Sequence, residues 1–282
     1  MKGLVALLIS ALIGVVEGIT EWLPISSTGH MLLLDELVNL KNYVSDAFYS
    51  FFLVAIQLGA VMAVVILYFG KLNPFSRKKT QEEKKGTWRL WLLVIIGVLP
   101  AAVIGIPLDD WFEENLYGFA VIAIALIVYG IAFIIIERLK KNKTYRVDSV
   151  DKLTIKDAAL IGCFQVLSLI PGTSRSGSTI LGGMLLGVSR TVAAEFSFFM
   201  ALPVMLGASM LRALKFAVGG AGITGIEWGV LLVGTLVAFL VSYVAIRFLM
   251  NFVKKHSFEV FGWYRIALGI IVLIVAFACE KI

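Results

Sequence analysis

The sequence predicts an all-α integral membrane protein: six transmembrane helices plus two re-entrant helical hairpins, arranged as two inverted-topology repeats. Three observations carry this reading. Of 282 residues, 60% are hydrophobic and only 16% charged, against ~25% charged in soluble domains, and the mean hydropathy is +0.94. Uncharged runs such as 48–70 and 115–136, of 23 and 22 residues, exceed the ~20 apolar residues that a helix needs to cross the hydrocarbon core. Finally, two shorter apolar runs, each broken by a proline and followed by a Ser/Gly-rich segment, recur along the chain. A soluble enzyme, a disordered chain and a secreted disulfide scaffold are excluded. The net charge of +6 sits in loops between apolar segments, where it sets topology, so the expected environment is a lipid bilayer and not nucleic acid.

The first run, Gly3 to Val16, follows Lys2 as a signal-peptide core does, but no small-residue cleavage site comes after it. It continues into Glu17 and Glu21, is stopped by Pro24, and reads as too short to cross, with a second short helix over 26–38. Three spans follow, at 48–70, 90–108 and 115–136, and then a basic linker, 139–156. Ala158 to Ile170, stopped by Pro171, and a short helix over 174–189 repeat the broken pattern. Spans at 195–215, 227–248 and 261–280 complete the chain. Broken pairs of this kind are tolerated where they are buried in protein or line a polar cavity, so 3–38 and 158–189 are read as re-entrant hairpins.

The halves are copies. Ala11-Leu-Ile-Gly14 matches Ala159-Leu-Ile-Gly162, and Ser26-Ser-Thr-Gly29 matches Ser174-Arg-Ser-Gly177, both at an offset of 148. Ser50-Phe-Phe52 recurs at Ser197-Phe-Phe199 (147) and Ile131-Ala-Phe133 as Val275-Ala-Phe277 (144). A near-constant offset through separate matches argues for duplication. The expected units are 1–138 and 157–282, and three spans per unit force the second copy to be inverted. Seven Lys/Arg in 71–89 and seven in 138–156 place those loops in the cytoplasm. Arg190, Arg247, Lys254, Lys255 and Arg265 join them, giving 19 of 25 cations on one side. Lys2, Lys41, Arg212, Lys215 and Lys281 fall outside with the acidic 109–114 loop, and Arg175 is left for the interior.

Glu17 and Glu21 are spaced i,i+4, so both carboxylates leave one face of a helix ending within the bilayer, where ionisable groups mark a functional interior. After Pro24, Ser26 is a natural N-cap, which sets Ser27 and His30 on the first turn of the next helix. Such a turn binds anions. The second hairpin repeats the device with Ser174 as cap and Arg175 as a permanent cation. Hairpins entering from opposite faces bring the two helix N-termini together. The result is a pocket with hydroxyls from Ser26, Ser27, Ser174, Ser176 and Thr179 beside one guanidinium, a donor set suited to phosphate. Glu17 and Glu21 fit a divalent cation, Mg²⁺ or Ca²⁺, bridging carboxylates and phosphates, or a proton or base role for one of them. His30 is either a structural imidazole or a nucleophile or acid.

Glu17-Gly-Ile-Thr-Glu21, Pro24-Ile-Ser-Ser-Thr-Gly-His30 and Pro171-Gly-Thr-Ser-Arg-Ser-Gly-Ser-Thr179 resemble the two signatures of the bacterial undecaprenyl-diphosphate phosphatase family, associated with bacitracin resistance. The similarity extends through Gln57-Leu-Gly59 and Glu195-Phe-Ser-Phe-Phe199. The resemblance implies dephosphorylation of undecaprenyl diphosphate to the monophosphate carrier of cell-wall synthesis. It also implies dependence on a divalent cation and a multi-pass protein of the bacterial plasma membrane whose site opens to the extracytoplasmic side. It assigns Glu17 and Glu21 to metal binding or base catalysis, makes Ser27 and His30 rivals for the attacking or proton-transferring group, and gives the diphosphate to Ser174, Arg175 and Thr179.

A histidine-dependent lipid phosphatase needs a second His near the Arg motif, and His256, in the basic Lys254-Lys-His256 stretch, is far from Arg175 in sequence. A transporter or flippase of a polyprenyl phosphate is the alternative from another class, since inverted repeats with broken helices are a transporter architecture. Glu195, beside Arg190, reads as a helix N-terminal charge, and Glu227 as a span-end residue. Cys163 and Cys279 read as unpaired residues within the membrane. Gly- and Ala-rich helix faces permit a homodimer.

Overall fold

Each long uncharged run becomes a helix because backbone N–H and C=O groups in hydrocarbon have no other partners. The computed structural model describes residues 2–140, 144–220 and 222–279, the side chains of 109 and 113 excepted. Lys281 and residues 141–143 of the basic linker lie outside the described residues, as do the side chains of 109 and 113 in the acidic loop. Among the described residues eleven α-helices follow in order. The first half holds α1 (Lys2–Thr20), α2 (Ser27–Leu37), α3 (Asp46–Leu67), the single turn α4 (Phe69–Leu72), α5 (Gln81–Leu116) and α6 (Phe119–Lys140). The second holds α7 (Ile155–Val166), α8 (Arg175–Leu185), α9 (Arg190–Val218), α10 (Gly225–Val253) and α11 (Glu259–Ala278).

The chain is thus a multi-pass membrane protein: among the described residues, seven helices are long and apolar enough to cross a bilayer. The seventh is α1. The expectation that the first run is too short is corrected: helix continues through Glu17 to Thr20, giving 19 residues, because no breaker precedes Pro24. Pro100 and Pro107 lie inside α5, and Pro203 inside α9. Thr80, Thr154 and Thr224 cap α5, α7 and α10 through reciprocal capping boxes with Glu83, Asp157 and Glu227, a device that satisfies two orphan donors at a helix start.

Side-by-side helix pairings organise the molecule. Helix α1 runs parallel to α10: the Cβ position of Gly3 lies 3.1 Å from Ile226, that of Gly14 is 2.6 Å from the Gly234 carbonyl oxygen, and that of Gly18 is 3.0 Å from the Ser242 nitrogen. Helix α7 runs parallel to α5 in the same way, with Gly162 against the backbone of Gly97 and Leu169 against Gly105. Helices α6 and α11 form another close pair, where Gly130 and Gly262 each meet the other's carbonyl oxygen at 2.7 Å from the Cβ position, and Gly59 of α3 packs directly against the Thr235 carbonyl oxygen of α10. Small residues at these crossings let backbones approach.

Charged groups gather at the two ends of the bundle. At one, Lys71 pairs with Glu195 at 2.5 Å, Arg138 with Glu259 at 2.6 Å, and Arg190 with Glu137. At the other, Lys215 pairs with Asp110 at 2.8 Å and Lys41 approaches Asp35 at 3.9 Å. Two sequence expectations are corrected here. Glu195 is the sixth residue of α9 and its partner is Lys71, while Arg190 is taken by Glu137. Arg265, counted among the cytoplasmic cations, is fully buried between the hairpins. Glu227 serves as the N3 residue of the α10 cap and also accepts from Ser45 at 2.8 and 2.9 Å. His256 is exposed and stacked on Phe252 at 4.5 Å. Both cysteines are free and exposed.

Candidate active site

The two Pro-containing breaks fold into one shape. After α1 the chain turns through Glu21 to Ile25, and Ser26 takes φ 73° and caps α2, its Oγ accepting from the Gly29 N–H at 3.3 Å. After Pro171, Gly172 (φ 93°) leads to Ser174 (φ 71°), whose Oγ accepts from the Gly177 N–H at 3.1 Å. Left-handed φ on a residue with a Cβ costs ~1–3 kcal/mol and persists only where the surroundings enforce it. Part of those surroundings comes from the opposite hairpin. Ser176 Oγ reaches back to the carbonyls of Glu21 and Leu23, at 3.0 and 3.3 Å, which joins the tips directly.

The chemistry-bearing side chains meet at that junction. Arg175 donates from Nε and Nη2 to Glu21 Oε1, at 3.4 and 3.2 Å, and from Nη1 to the Ser197 carbonyl at 2.7 Å. The other Glu21 oxygen, Oε2, accepts from Ser27 Oγ at 3.0 Å. One carboxylate therefore links the hydroxyl of one hairpin to the guanidinium of the other. Glu17, one turn before Glu21, is buried and its Oε1 has no hydrogen-bond partner. Trp22 lies under Arg175, ring centroid 5.7 Å from Cζ, and packs edge-on against Phe198 at 5.3 Å.

His30 faces another way. Its Nδ1 is 2.7 Å from the Ser26 carbonyl and its Nε2 is 2.7 Å from the Tyr264 hydroxyl, with the two rings stacked at 5.6 Å. A carbonyl only accepts, so Nδ1 carries the proton, and in the neutral ring Nε2 accepts from Tyr264. Both nitrogens are engaged in holding the Ser26 turn. Ser176 and Thr179 are fully buried, and Thr179 Oγ1 is bonded to the Arg175 carbonyl (2.9 Å) and to Ser197 Oγ (2.7 Å). Ser174 Oγ lies 3.1 Å from Ser176 Oγ. These hydroxyls are spent on the shape of the second tip.

A cavity of about 440 Å³ reaches this junction, lined by Glu17, Ser27 and Thr28 and further along by Asp35, Lys41 and Arg212. Its lining therefore includes the bundle end that carries the Lys41–Asp35 contact. Among the described residues no group of three or more His, Cys, Asp or Glu side chains stands ready to enclose a metal. The fit for a divalent cation therefore rests on Glu17 with its unpartnered oxygen, beside a Glu21 already holding two partners. Sequence reasoning passed over Trp22, Ser197, Tyr264 and Arg265. For Arg265 a signal existed: it is the one charged residue in the apolar run 260–279, the same property that singled out Arg175.

Known proteins share this sequence over nearly its full length. The family described as Bacitracin resistance protein BacA matches residues 10–271. Relatives named undecaprenyl-diphosphatase include proteins of Enterococcus faecalis, 56% identical over 262 residues (93% of this chain and 94% of the relative), and Limosilactobacillus fermentum, 55% identical over 264 residues (94% and 95%). That of Lactococcus lactis subsp. lactis is 55% identical over 272 residues, again 94% and 95%. With a match running from the first hairpin almost to the end of α11, the chain belongs to the bacitracin resistance protein BacA family.

Proposed function

We propose that the protein is a membrane hydrolase that converts undecaprenyl diphosphate to the monophosphate and inorganic phosphate, which supports peptidoglycan synthesis and bacitracin resistance. The observation that carries the site assignment is the Arg175–Glu21–Ser27 chain where the two tips meet. The relatives carry the name of the diphosphatase, and nothing favours a lipid flippase.

Phosphoryl transfer needs positioning and neutralisation of charge more than covalent ingenuity. Here Glu21 Oε1 occupies on Arg175 the place of a phosphate oxygen. An arriving terminal phosphate takes over the guanidinium, and Glu21 is left facing Ser27. Ser27 Oγ attacks the terminal phosphorus and passes its proton to Glu21. The bridging P–O bond breaks, and undecaprenyl monophosphate leaves with that electron pair. Water, losing a proton to the site carboxylates, then attacks the phosphoserine, and Ser27 Oγ departs and is reprotonated as inorganic phosphate leaves. The N–H groups at the start of α2 and α8, capped by Ser26 and Ser174, lend positive potential to the diphosphate. His30, with both nitrogens engaged, orients the turn that presents Ser27. A divalent cation, Mg²⁺ or Ca²⁺, supplies further charge neutralisation on the diphosphate when bound, and Glu17 is the residue suited to hold it, with Glu21 as its neighbour.

The test is phosphate release by purified variants. Ser27→Ala, Glu21→Gln and Arg175→Ala are each expected to lower kcat by ~10³ or more, and a radiolabelled terminal phosphate should be trapped on Ser27 in acid-quenched enzyme. Glu17→Gln should raise the Mg²⁺ concentration needed for half activity. Full turnover by Ser27→Ala, or acid-labile label recovered on His30 after an alkaline quench, would give the nucleophile's role to the histidine.

The same proposal places the protein in the bacterial plasma membrane as inverted repeats, 1–138 and 157–282, joined by the linker 139–156. Helix α1 has the length to cross, yet Gly18, near its end, lies beside Ser242 of α10, eleven residues before α10 ends at Val253. Helix α7 relates to α5 likewise: Leu169, after its end, lies beside Gly105, eleven residues before Leu116. Both tips therefore stop at matching depths, which supports re-entry of both hairpins. The scarcity of basic residues at the bundle end that lines the cavity supports an extracytoplasmic opening.

A further inference from the structure

Arg265 is the buried cation that the reaction scheme leaves unused. It is 0% exposed, and every hydrogen bond its guanidinium makes is to a backbone carbonyl. Nη1 donates to Pro24 O at 3.1 Å, on the first tip, and Nη2 donates to Gly172 O at 2.8 Å and Thr173 O at 3.0 Å, on the second. No carboxylate pairs with it among the described residues, and its Nε is buried without a partner. The Tyr129 ring of α6 faces Cζ at 5.3 Å, and the Tyr129 hydroxyl in turn accepts from Ser178 of α8 at 3.1 Å.

A buried cation without an anion is expensive, and a methionine or leucine on α11 would fill the space without that cost. What the guanidinium fork does that no apolar side chain can is bond two separate chain segments at once. The carbonyls it holds lie two residues before Ser26 and one or two before Ser174, the two residues with left-handed φ. They lie immediately upstream of the reacting groups, Ser27 on one tip and Arg175 on the other. The preceding residue on the same helix, Tyr264, bonds His30, which bonds Ser26 O. One turn of α11 therefore grips both tips at their backbones.

We propose that Arg265 is a positioning residue for the hydrolysis, a clamp that fixes the distance and register between the two hairpin tips so that Ser27 and Arg175 address the same phosphate. This rests on the site assignment above, and its test separates the two. Arg265→Met keeps the volume and removes the clamp, while Arg265→Lys keeps the charge but cannot span three carbonyls. A misplacement of the reacting groups of ~1 Å costs on the order of 100-fold, so both variants should lose ~100-fold in kcat, with KM within about threefold of the parent and unfolding temperatures close to it. In the Arg175→Ala background, where no guanidinium remains to be aligned, Arg265→Lys should cost little further activity, a non-additivity that general damage to the fold does not give. Full kcat in Arg265→Lys would show that charge alone suffices and overturn the clamp. So would kcat losses that follow the fall in unfolding temperature across the variants, or losses that add fully to that of Arg175→Ala. Should Ser27→Ala and Arg175→Ala themselves prove active, the site assignment fails, whatever Arg265 does.

Discussion

Ser26 and Ser174 hold φ values of 73° and 71°, at equivalent positions in the two halves of the chain. Glycine adopts this conformation without penalty, whereas a serine there stores ~1–3 kcal/mol of strain, so a reason for serine is needed. The Oγ of each caps the following helix, yet replacing an N-cap serine by glycine costs only a few tenths of a kcal/mol. Strain relief should then roughly offset the lost cap and the added unfolded-chain entropy. Ser174→Gly is predicted to melt within a few degrees of the parent, or above it, while kcat falls about tenfold because the tip that carries Arg175 is no longer held in one conformation. Thermal unfolding and phosphate release on the same preparation check this, and a melting point that falls in step with kcat refutes it. Conversely, the buried groups that the scheme uses are satisfied in resting pairs, save Glu17 Oε1. That exception is the physical argument for a cation at Glu17.

Helices were the most legible part of the sequence, because uncharged runs in a bilayer have a single structural outcome: a helix lies over each of the six expected spans, with ends shifted by two to five residues except in α5, which begins nine residues earlier and ends eight later than expected. The broken tips were legible too, since Pro24 and Pro171 each precede a Ser-rich N-cap. Pairing between elements was not. Arg190 sits beside Glu195 in sequence but bonds Glu137 on α6, and Arg265 was grouped with loop cations although its helix carries it inward. Sequence proximity favours local partners, whereas in a bundle the partner is chosen by whichever helix packs alongside. The packing itself leaves a testable mark. A methyl group on Gly14 would lie 2.6 Å from the Gly234 carbonyl oxygen, backbone against backbone, while one on Gly70 meets nothing within 4 Å. Gly14→Ala should destabilise by ~1–3 kcal/mol and reduce kcat, because the shift of α1 carries Glu17, one turn further on, with it. Gly70→Ala should be silent in both. Equal melting points for the two variants would show that the α1–α10 contact is looser than the described geometry.

At the scale of the whole molecule, four charged side chains stand at the junction of the tips, Glu17, Glu21, Arg175 and Arg265. Two carboxyl groups there stand beside two guanidinium groups, and the diphosphate brings the excess negative charge. The remaining cations divide unevenly between the two ends of the bundle, and this division predicts the orientation. Loops near Ser76 and Ser149 belong to the basic end. The turn at Gly118, which follows the Asp110–Lys215 pair on α5 and α9, and Gly222 belong to the end that lines the cavity. With Cys163 and Cys279, both exposed, replaced by serine, single cysteines at 76, 118, 149 and 222 report the topology through a membrane-impermeant maleimide. In intact cells, Gly118→Cys and Gly222→Cys should label, whereas Ser76→Cys and Ser149→Cys should label only after the membrane is opened. Labelling of 118 and 222 confined to opened cells would reverse the orientation and turn the cavity to the cytoplasm. Labelling of 76 and 118 from one side would deny α5 its crossing, and with it the odd number of spans on which the proposed inversion of the second repeat rests.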